Sequence, residues 1–150
     1  DVQKVHSYRT DAFDAPNAGP VARVEEGRVT VLRPWPQSDR ASWPEGGAWP
    51  WVEIITSHAL ARRDGIDAWV AAGVQGLVVA GTGNGTVHEA LRHALVDAEH
   101  RGVAIALASR CVAGPVLAGH RAAWRVYPGL NAVKSRIELA LDLLRSAPAR

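Results

Sequence analysis

The stretch that decides the fold is GLVVAGTGNGT, residues Gly76–Thr86. Its first five residues form an apolar run that is typical of a buried strand. Glycine then occupies every second position: Gly81, Gly83 and Gly85. Thr86 and Glu89 have the spacing of a capping box, in which the two side chains satisfy backbone N–H groups at the start of a helix. The stretch therefore predicts a strand, a tight glycine turn, and a helix that begins at Thr86.

A strand–turn–helix connection of this kind exposes backbone N–H groups at the carboxyl end of a parallel sheet. That edge is where α/β proteins bind small polar or anionic ligands. The spacing nevertheless excludes two familiar phosphate motifs. A dinucleotide fingerprint needs a third small residue at the position of Thr86, and a P-loop needs a Gly-Lys-Ser/Thr that is absent here. The three glycines are also explained by positive φ angles and close helix–strand packing alone.

Strand patterns recur at regular intervals around this stretch. The predicted strands are Trp51–Thr56, Gly76–Ala80, Val103–Leu107 and a short one at Ala123–Val126. Helical patterns separate them, which favours parallel crossovers with helices on both faces of the sheet. We therefore predict an α/β fold, namely a small three-layer αβα domain with a mostly parallel four-stranded sheet of the flavodoxin-like type.

Three helices are predicted between and after these strands. The first is short, is capped by Asp64 and stops at Gly73. The second runs from Thr86 to about His100. The third is capped by Asn131 and has an apolar stripe on its predicted inner face: Val133, Ile137, Ala140, Leu141 and Leu144.

The first third of the chain has a different composition. Residues 1–33 predict an extended arm with turn formers between residues 14 and 20 and a strand from Arg28 to Arg33. Residues 34–50 predict a linker, because prolines interrupt it at 34, 36, 44 and 50. Four tryptophans crowd the linker, and we expect them to cover a sheet edge or a domain seam rather than bind a sugar or peptide: Trp35, Trp43, Trp49 and Trp51. Residues 51–150 form the predicted α/β domain.

The amino-acid composition excludes several classes of protein and of function. Hydrophobic residues make up 47% of the 150-residue chain, which excludes a disordered protein, and no run is long enough to span a membrane. The net charge of +2 is spread over 17 basic and 15 acidic residues without a basic block, so nucleic acid is not an expected partner. The chain starts at Asp1 and contains no methionine, which indicates a processed or truncated product. Its single cysteine, Cys111, excludes an internal disulfide and a cysteine-based zinc cluster.

The glycine stretch also carries a family resemblance. AGTGNGT is similar to the AGxGNGN turn in the C-terminal domain of the L-asparaginase family. Further blocks resemble the same family in the same order, so the likeness covers almost the whole chain. They are residues 4–29, 52–86, 102–116 with its Ser109-Arg110 pair, and 130–144.

The resemblance implies an amidohydrolase that converts L-asparagine to L-aspartate and ammonia without metal or organic cofactor. The nucleophilic threonine of the family lies in a Thr-Gly-Gly-Thr turn of an N-terminal domain, and this chain has no such turn. The chain would therefore hold no catalytic residue. By resemblance, Thr86 stands where the family has Asn or Ser, a side chain that reaches the active site of a neighbouring subunit. Asn84 corresponds to the first Asn of the turn, where a structural role is expected.

The implied partners are the family's own N-terminal domain, further copies of the chain in a homodimer or homotetramer, and a small amide substrate. The periplasmic branch of the family supplies an acidic residue before the last helix, but no Asp or Glu lies between Cys111 and Leu130. Location stays open, with the cytoplasm favoured over the periplasm. Two alternatives remain: a standalone module that binds an amino acid or small anion at residues 81–86, and an oligomerisation domain.

Other reactive side chains give weaker hypotheses. The histidines at 58, 88, 93, 100 and 120 do not converge with carboxylates, so a metal site is not predicted. Ser109 and Cys111 follow a strand, yet the sequence places no His or Asp partner beside them, and a structural role is favoured. Cys111 remains a candidate reactive thiol or effector-site residue. Lys134 and Arg136 oppose the dipole of the last helix, which suggests an ion pair across an interface.

Overall fold

The computed structural model describes residues 2–35, 48–117 and 124–146. The chain divides into two compact units, Asp1–Glu45 and Gly46–Arg150. Most of the predicted linker lies outside the described residues, as do Trp43 and His120. The division at residues 33 and 50 therefore stays a prediction. Trp35 and Trp49 are 66% and 54% exposed in this chain, and their expected place at a sheet edge or domain seam stays a prediction.

The first unit folds into two small hairpins. Strand β1 (Gln3–Lys4) pairs antiparallel with β2 (Phe13–Asp14), and β3 (Ala22–Glu25) pairs antiparallel with β4 (Arg28–Val31). The predicted arm thus contains the expected strand from Arg28, but the chain turns back on itself. Two residues with positive φ, Glu26 at 48° and Gly27 at 75°, close the second hairpin. Positive φ at both central residues matches the right-handed twist of the paired strands.

The second unit contains a four-stranded sheet. Its strands are β5 (Val52–Thr56), β6 (Gly76–Gly81), β7 (Ala104–Ser109) and β8 (Arg125–Val126), and they lie in that order. All three neighbouring pairs are parallel. The three helices are α1 (Asp64–Ala71), α2 (Glu89–His100) and α3 (Ala132–Ser146). The predicted strand and helix order is confirmed.

The helices cover both faces of this sheet. Alternate residues of β6 point to opposite sides, because side chains alternate along a strand. Leu77 and Val79 join a buried cluster with α1 and α2, whereas Val78 and Ala80 join a second cluster with α3. The predicted three-layer αβα arrangement is therefore confirmed, with the core split into two layers by the sheet.

The predicted start of the second helix is wrong. Thr86 does not cap α2, whose first residue is Glu89. Thr86 instead exchanges two backbone hydrogen bonds of 2.9 Å with Thr82, which closes the glycine turn as an antiparallel bridge. This bridge holds residue 86 in extended geometry, so helical geometry begins further along the chain. The capping-box pattern is present in the sequence but is not used.

The cap of α2 comes from two residues that the pattern did not indicate. His88 is the N-cap, and its Nδ1 accepts the N–H of Ala90 at 3.3 Å. The N–H of His88 in turn donates to Oγ of Ser57 at 2.8 Å. Ser57 follows β5 directly and is 2% exposed. The start of α2 is thus fixed to the end of a neighbouring strand by a buried hydroxyl.

The predicted cap of α1 also needs correction. Asp64 is the first helical residue rather than the cap, which is Arg63 without a side-chain capping bond. The Asp64 carboxylate instead accepts from Arg62 Nε at 2.6 Å. The predicted stop at Gly73 is confirmed, since its φ of 91° ends the helix.

The third helix begins as predicted but turns a different face inward. Asn131 caps it, because its Oδ1 accepts the N–H of Lys134 at 3.0 Å. Ala140 and Leu141 of the predicted stripe are buried, while Val133 and Ile137 are 64% and 49% exposed. The other buried positions of α3 lie outside the predicted stripe, and two of the three carry small side chains: Ala132, Ser135 and Leu139. Small side chains allow close approach of the helix to the sheet, which apolarity alone does not reveal.

Two buried serines give a matched test of this packing. Ser135 is fully buried and its Oγ has no hydrogen-bond partner among the described residues, whereas Ser57 Oγ holds the His88 N–H. We expect Ser135→Ala to stabilise the chain by about 1 kcal/mol, since it removes an unpaired buried hydroxyl from a helix interior. Ser57→Ala should destabilise it by about 1–3 kcal/mol. Urea unfolding of both variants measures the difference, and equal losses would contradict the unpaired hydroxyl.

Candidate functional site

The glycine turn after β6 has a physical need for each of its three glycines. A Cβ at Gly81 would lie 2.9 Å from the backbone carbon of Gly85, which no side chain tolerates. Gly83 and Gly85 have φ angles of 51° and 81°, in the region that favours glycine. A Cβ at Gly85 would also lie 2.7 Å from Cδ2 of Leu107. The turn is therefore folded tightly on itself and against β7.

Hydrogen bonds connect this turn to the loop after β7. Ser109 Oγ donates to the carbonyl of Gly83 at 2.9 Å and accepts the N–H of Cys111 at 3.1 Å. The N–H of Arg110 donates to the carbonyl of Gly81 at 2.9 Å. The Arg110 guanidinium reaches further and donates to the carbonyl of Ser57 at 2.9 Å. The loops that follow β5, β6 and β7 are thus held together at the carboxyl edge of the sheet.

The two predicted site side chains have different surroundings. Oδ1 of Asn84 accepts the N–H of Leu117 at 2.7 Å, so its amide fixes the position of the following loop. Thr86 is exposed, and its hydroxyl has no hydrogen-bond partner within the described parts of the chain. The structure brings both residues to one edge of the sheet, with Asn84 engaged in loop structure and Thr86 presented to the outside.

A cavity of about 400 Å³ opens beside this turn. Its walls are mainly small and apolar, and they include Gly83, Asn84, Pro115, Leu117 and the thiol of Cys111. The adjacent Ser109 hydroxyl lowers the pKa of the Cys111 thiol, and the Gly83 backbone and the charge of Arg110 act in the same direction. The site therefore combines an exposed thiol of raised acidity with an apolar recess.

The sequence points to some of these residues and misses others. The Ser109-Arg110 pair is visible by its position after a strand, but its hydrogen bonds to the turn are not. Sequence reasoning misses the roles of Ser57 and His88 altogether. The position of Ser57 directly after a predicted strand is the available signal, because parallel strands bring their carboxyl ends to one edge.

The last helix carries another of the charged residues that the sequence singles out. Arg136 donates from Nε to the carbonyl of Val52 at 2.7 Å, so it braces α3 against β5. Among the described residues, no three His, Cys, Asp or Glu side chains are placed to hold a metal ion. In the same part of the chain, no helix has the length and apolarity needed to cross a membrane.

Comparison with known proteins assigns the fold and this turn to one family. The family model described as "Glutaminase/Asparaginase C-terminal domain" matches residues 51–147. The chain belongs to the asparaginase/glutaminase family. Its second unit is the family's C-terminal domain, and the resemblance seen in the sequence is confirmed.

Individual relatives come from two kinds of protein. One subunit of the glutamyl-tRNA(Gln) amidotransferase from Pyrococcus furiosus is 31% identical over 77% of this chain and 27% of its own length. L-asparaginase 2 from Escherichia coli is 28% identical over 76% of this chain and 34% of its own length. The chain thus spans about a third or less of these two relatives.

A solved structure extends the likeness to both units. The crystal structure of a probable cytoplasmic L-asparaginase from Campylobacter jejuni has a TM-score of 0.86 with 27% sequence identity. The match covers 97% of this chain and 50% of that protein. Residues ahead of the C-terminal domain are therefore also part of the shared structure.

Alanine substitutions at two glycines of the turn distinguish the cost of backbone strain from the cost of steric crowding. Both have positive φ, but a Cβ at Gly83 meets no atom within 4 Å, whereas one at Gly85 meets Leu107. We expect Gly83→Ala to cost about 1–2 kcal/mol of folding free energy. Gly85→Ala should cost about 1–3 kcal/mol more, because it also overpacks the contact with Leu107. Thermal and urea unfolding check the order, and equal effects of the two variants would argue against the tight packing of Gly85.

The Cys111 thiol gives a pH-dependent readout of the site. A lowered pKa means that the reactive thiolate forms at a lower pH than in an ordinary cysteine. We expect the rate of alkylation by iodoacetamide to rise with pH at a lower midpoint in the folded chain than in the urea-denatured chain. Ser109→Ala should move the folded midpoint upward. Coincident midpoints in the folded and denatured states would contradict a lowered pKa of the Cys111 thiol in the folded chain.

Proposed function

We propose that this chain is the C-terminal part of an amidohydrolase that converts L-asparagine to L-aspartate and ammonia. The nucleophilic threonine and its partners would lie in an N-terminal domain that this chain does not contain. The chain would contribute the subunit interface and the rim of a neighbouring subunit's active site. The single observation that carries the proposal is the family membership, with the glycine turn intact at residues 81–86.

The geometry of the turn supports the rim assignment. The bridge to Thr82 fixes the Thr86 backbone, while its side chain is exposed at the carboxyl edge of the sheet. A hydroxyl that is held on a rigid turn and has no described partner is suited to contact a polar substrate group. Asn84 is less suited, since its carbonyl oxygen already accepts the N–H of Leu117. In this proposal Thr86 touches the substrate and Asn84 positions the loop beside it.

The relatives include amidotransferase subunits as well as asparaginases, so glutamine is the amide to compare with asparagine. The chain has no Asp or Glu between Cys111 and Leu130, where the resemblance implies an acid that would recognise the amino group that both substrates share. Expression of the reading frame upstream of Asp1 together with this chain, followed by ammonia release from each amide, tests the proposal. A reading frame without Thr-Gly-Gly-Thr, or no ammonia from either amide, would overturn it.

A standalone binding module remains the competing function. The small cavity beside the turn, about 400 Å³ in volume, favours that alternative because it is large enough for an amino acid. Calorimetric titration of the 150-residue chain with L-asparagine, L-aspartate and inorganic phosphate separates the two. The amidohydrolase proposal expects no saturable binding to this chain and no ammonia release by it. Sedimentation of the same preparation tests the proposed homo-oligomer.

Thr86 provides a specific test in the complete enzyme. Because Thr86 does not cap α2, Thr86→Ala should change stability by less than about 0.5 kcal/mol. If the hydroxyl contacts substrate, the same variant should lower kcat/KM by roughly tenfold, and Thr86→Asn should retain more activity. Thr30→Ala, at an exposed position in β4, is the matched control and should leave both quantities unchanged. Unaltered kinetics in Thr86→Ala would remove this residue from the proposed site.

A further inference from the structure

Hydrogen bonds and packing fix three successive residues between the glycine turn and α2. Thr86 is bonded to Thr82 through both of its backbone groups, and Thr82 Oγ1 also donates to the Thr86 carbonyl at 3.3 Å. Val87 is half-buried against the core cluster that α1 and α2 share. The N–H of His88 donates to Oγ of Ser57 at 2.8 Å. The segment that carries the exposed Thr86 side chain is therefore anchored at both ends.

Ser57 is itself held in place by β6 and by the loop after β7. Its N–H donates to the carbonyl of Ala80 at 2.9 Å, and its carbonyl accepts from the Arg110 guanidinium at 2.9 Å. The residue is only 2% exposed, so its hydroxyl is out of reach of a substrate at the surface. Any effect of this hydroxyl on the proposed rim must therefore pass through the N–H of His88.

The His88 anchor is close enough to control the position of Thr86. Two residues along the chain span at most about 7 Å between Cα atoms, so a shift at His88 is transmitted directly to Thr86. Removal of the Ser57 hydroxyl leaves the His88 N–H without its partner, and the segment must move for this group to reach water or another acceptor. A displacement of about 1 Å at a binding group is enough to weaken its contact with a substrate.

We propose that Ser57 is a positioning residue of the proposed amidohydrolase. Its hydroxyl fixes His88 and thereby the place where the Thr86 hydroxyl meets a polar group of the substrate. Ser57 follows β5 whereas Thr86 follows β6, so the position of the substrate-binding hydroxyl depends on a contact between the ends of two neighbouring strands. This inference rests on the proposed function, because the position of Thr86 matters for activity only if Thr86 contacts the substrate.

Steady-state kinetics of the complete enzyme, with the upstream domain present, test the proposal on the amide that the enzyme hydrolyses. Ser57→Ala should raise KM by roughly three- to tenfold and change kcat by less than about twofold, because the proposed nucleophile lies in another domain. In a Thr86→Ala background, Ser57→Ala should add less than about a twofold effect, since it acts through Thr86. A merely structural role would lower the amount of folded enzyme and leave KM unchanged.

Two further variants separate positioning from folding. Ser135→Ala is the matched control, because it removes another buried hydroxyl, far along the chain in α3, and should leave KM unchanged. Ser57→Cys keeps the shape of the side chain but offers only a weak acceptor, so it should raise KM by less than Ser57→Ala does. Melting curves establish which variants are folded, and Ser57→Cys decides the question if Ser57→Ala does not fold.

Amide hydrogen exchange of the 150-residue chain follows the structural step without the upstream domain. Ser57→Ala should lower the protection of the His88 N–H by a larger factor than that of the β6 amides, because the lost contact is local. Equal losses at His88 and in β6 would contradict the proposed anchor.

The kinetic outcomes distinguish this inference from the proposed function. An unchanged KM in folded Ser57→Ala or Ser57→Cys, or additive losses in the double variant, would overturn this inference alone, provided that Thr86→Ala is impaired. A complete enzyme that releases no ammonia, or Thr86→Ala with wild-type kinetics, would overturn the proposed function or its rim assignment, and this inference with it.

Discussion

The fold depends on the burial of the central strand β6. All six of its residues are buried, and both of its backbone edges lie inside the protein away from water. Each buried N–H and C=O group needs a hydrogen-bond partner, since an unpaired one costs several kcal/mol in an apolar interior. Strands β5 and β7 supply those partners in parallel register along the whole strand. Helices must then cover both faces, which places α1 and α2 on one side and α3 on the other.

The candidate site forms where β6 ends, because the chain must leave the crowded interior of the sheet there. The chain must leave the sheet between two neighbouring strands, where space is so limited that a Cβ at Gly81 would collide with backbone. The turn therefore closes on itself through Thr82 and Thr86, and the adjacent loops attach to it through Ser109 and Arg110. Rigid backbone at the carboxyl edge of a parallel sheet is what a substrate-binding rim requires. The proposed role of Thr86 follows from this rigidity.

The opposite edge of the sheet is built differently. Strand β8 has two residues, so it covers only part of β7 and leaves a recess where β7 begins. Helices α2 and α3 both end there, and their ends bring carbonyl groups and the carboxylates of Glu99 and Asp142 to one place. Asp142 is compensated by two arginines, whereas Glu99 is paired with an indole.

The sequence by itself determined the class of fold, the order of the strands and helices, the need for glycine in the 81–86 turn, and the family. These properties follow from local patterns: an apolar run, a glycine spacing, and a helical period that one chain segment carries alone. Tertiary structure decided where α2 begins, because the bridge between Thr82 and Thr86 and the hydroxyl of Ser57 favour His88 as the cap over the threonine of a good capping box. It also decided which face of α3 is buried, since close approach to the sheet favours Ala132 and Ser135 over the larger Val133 and Ile137. Both outcomes depend on residues distant in sequence, whose contacts outweigh local preferences of about 1 kcal/mol.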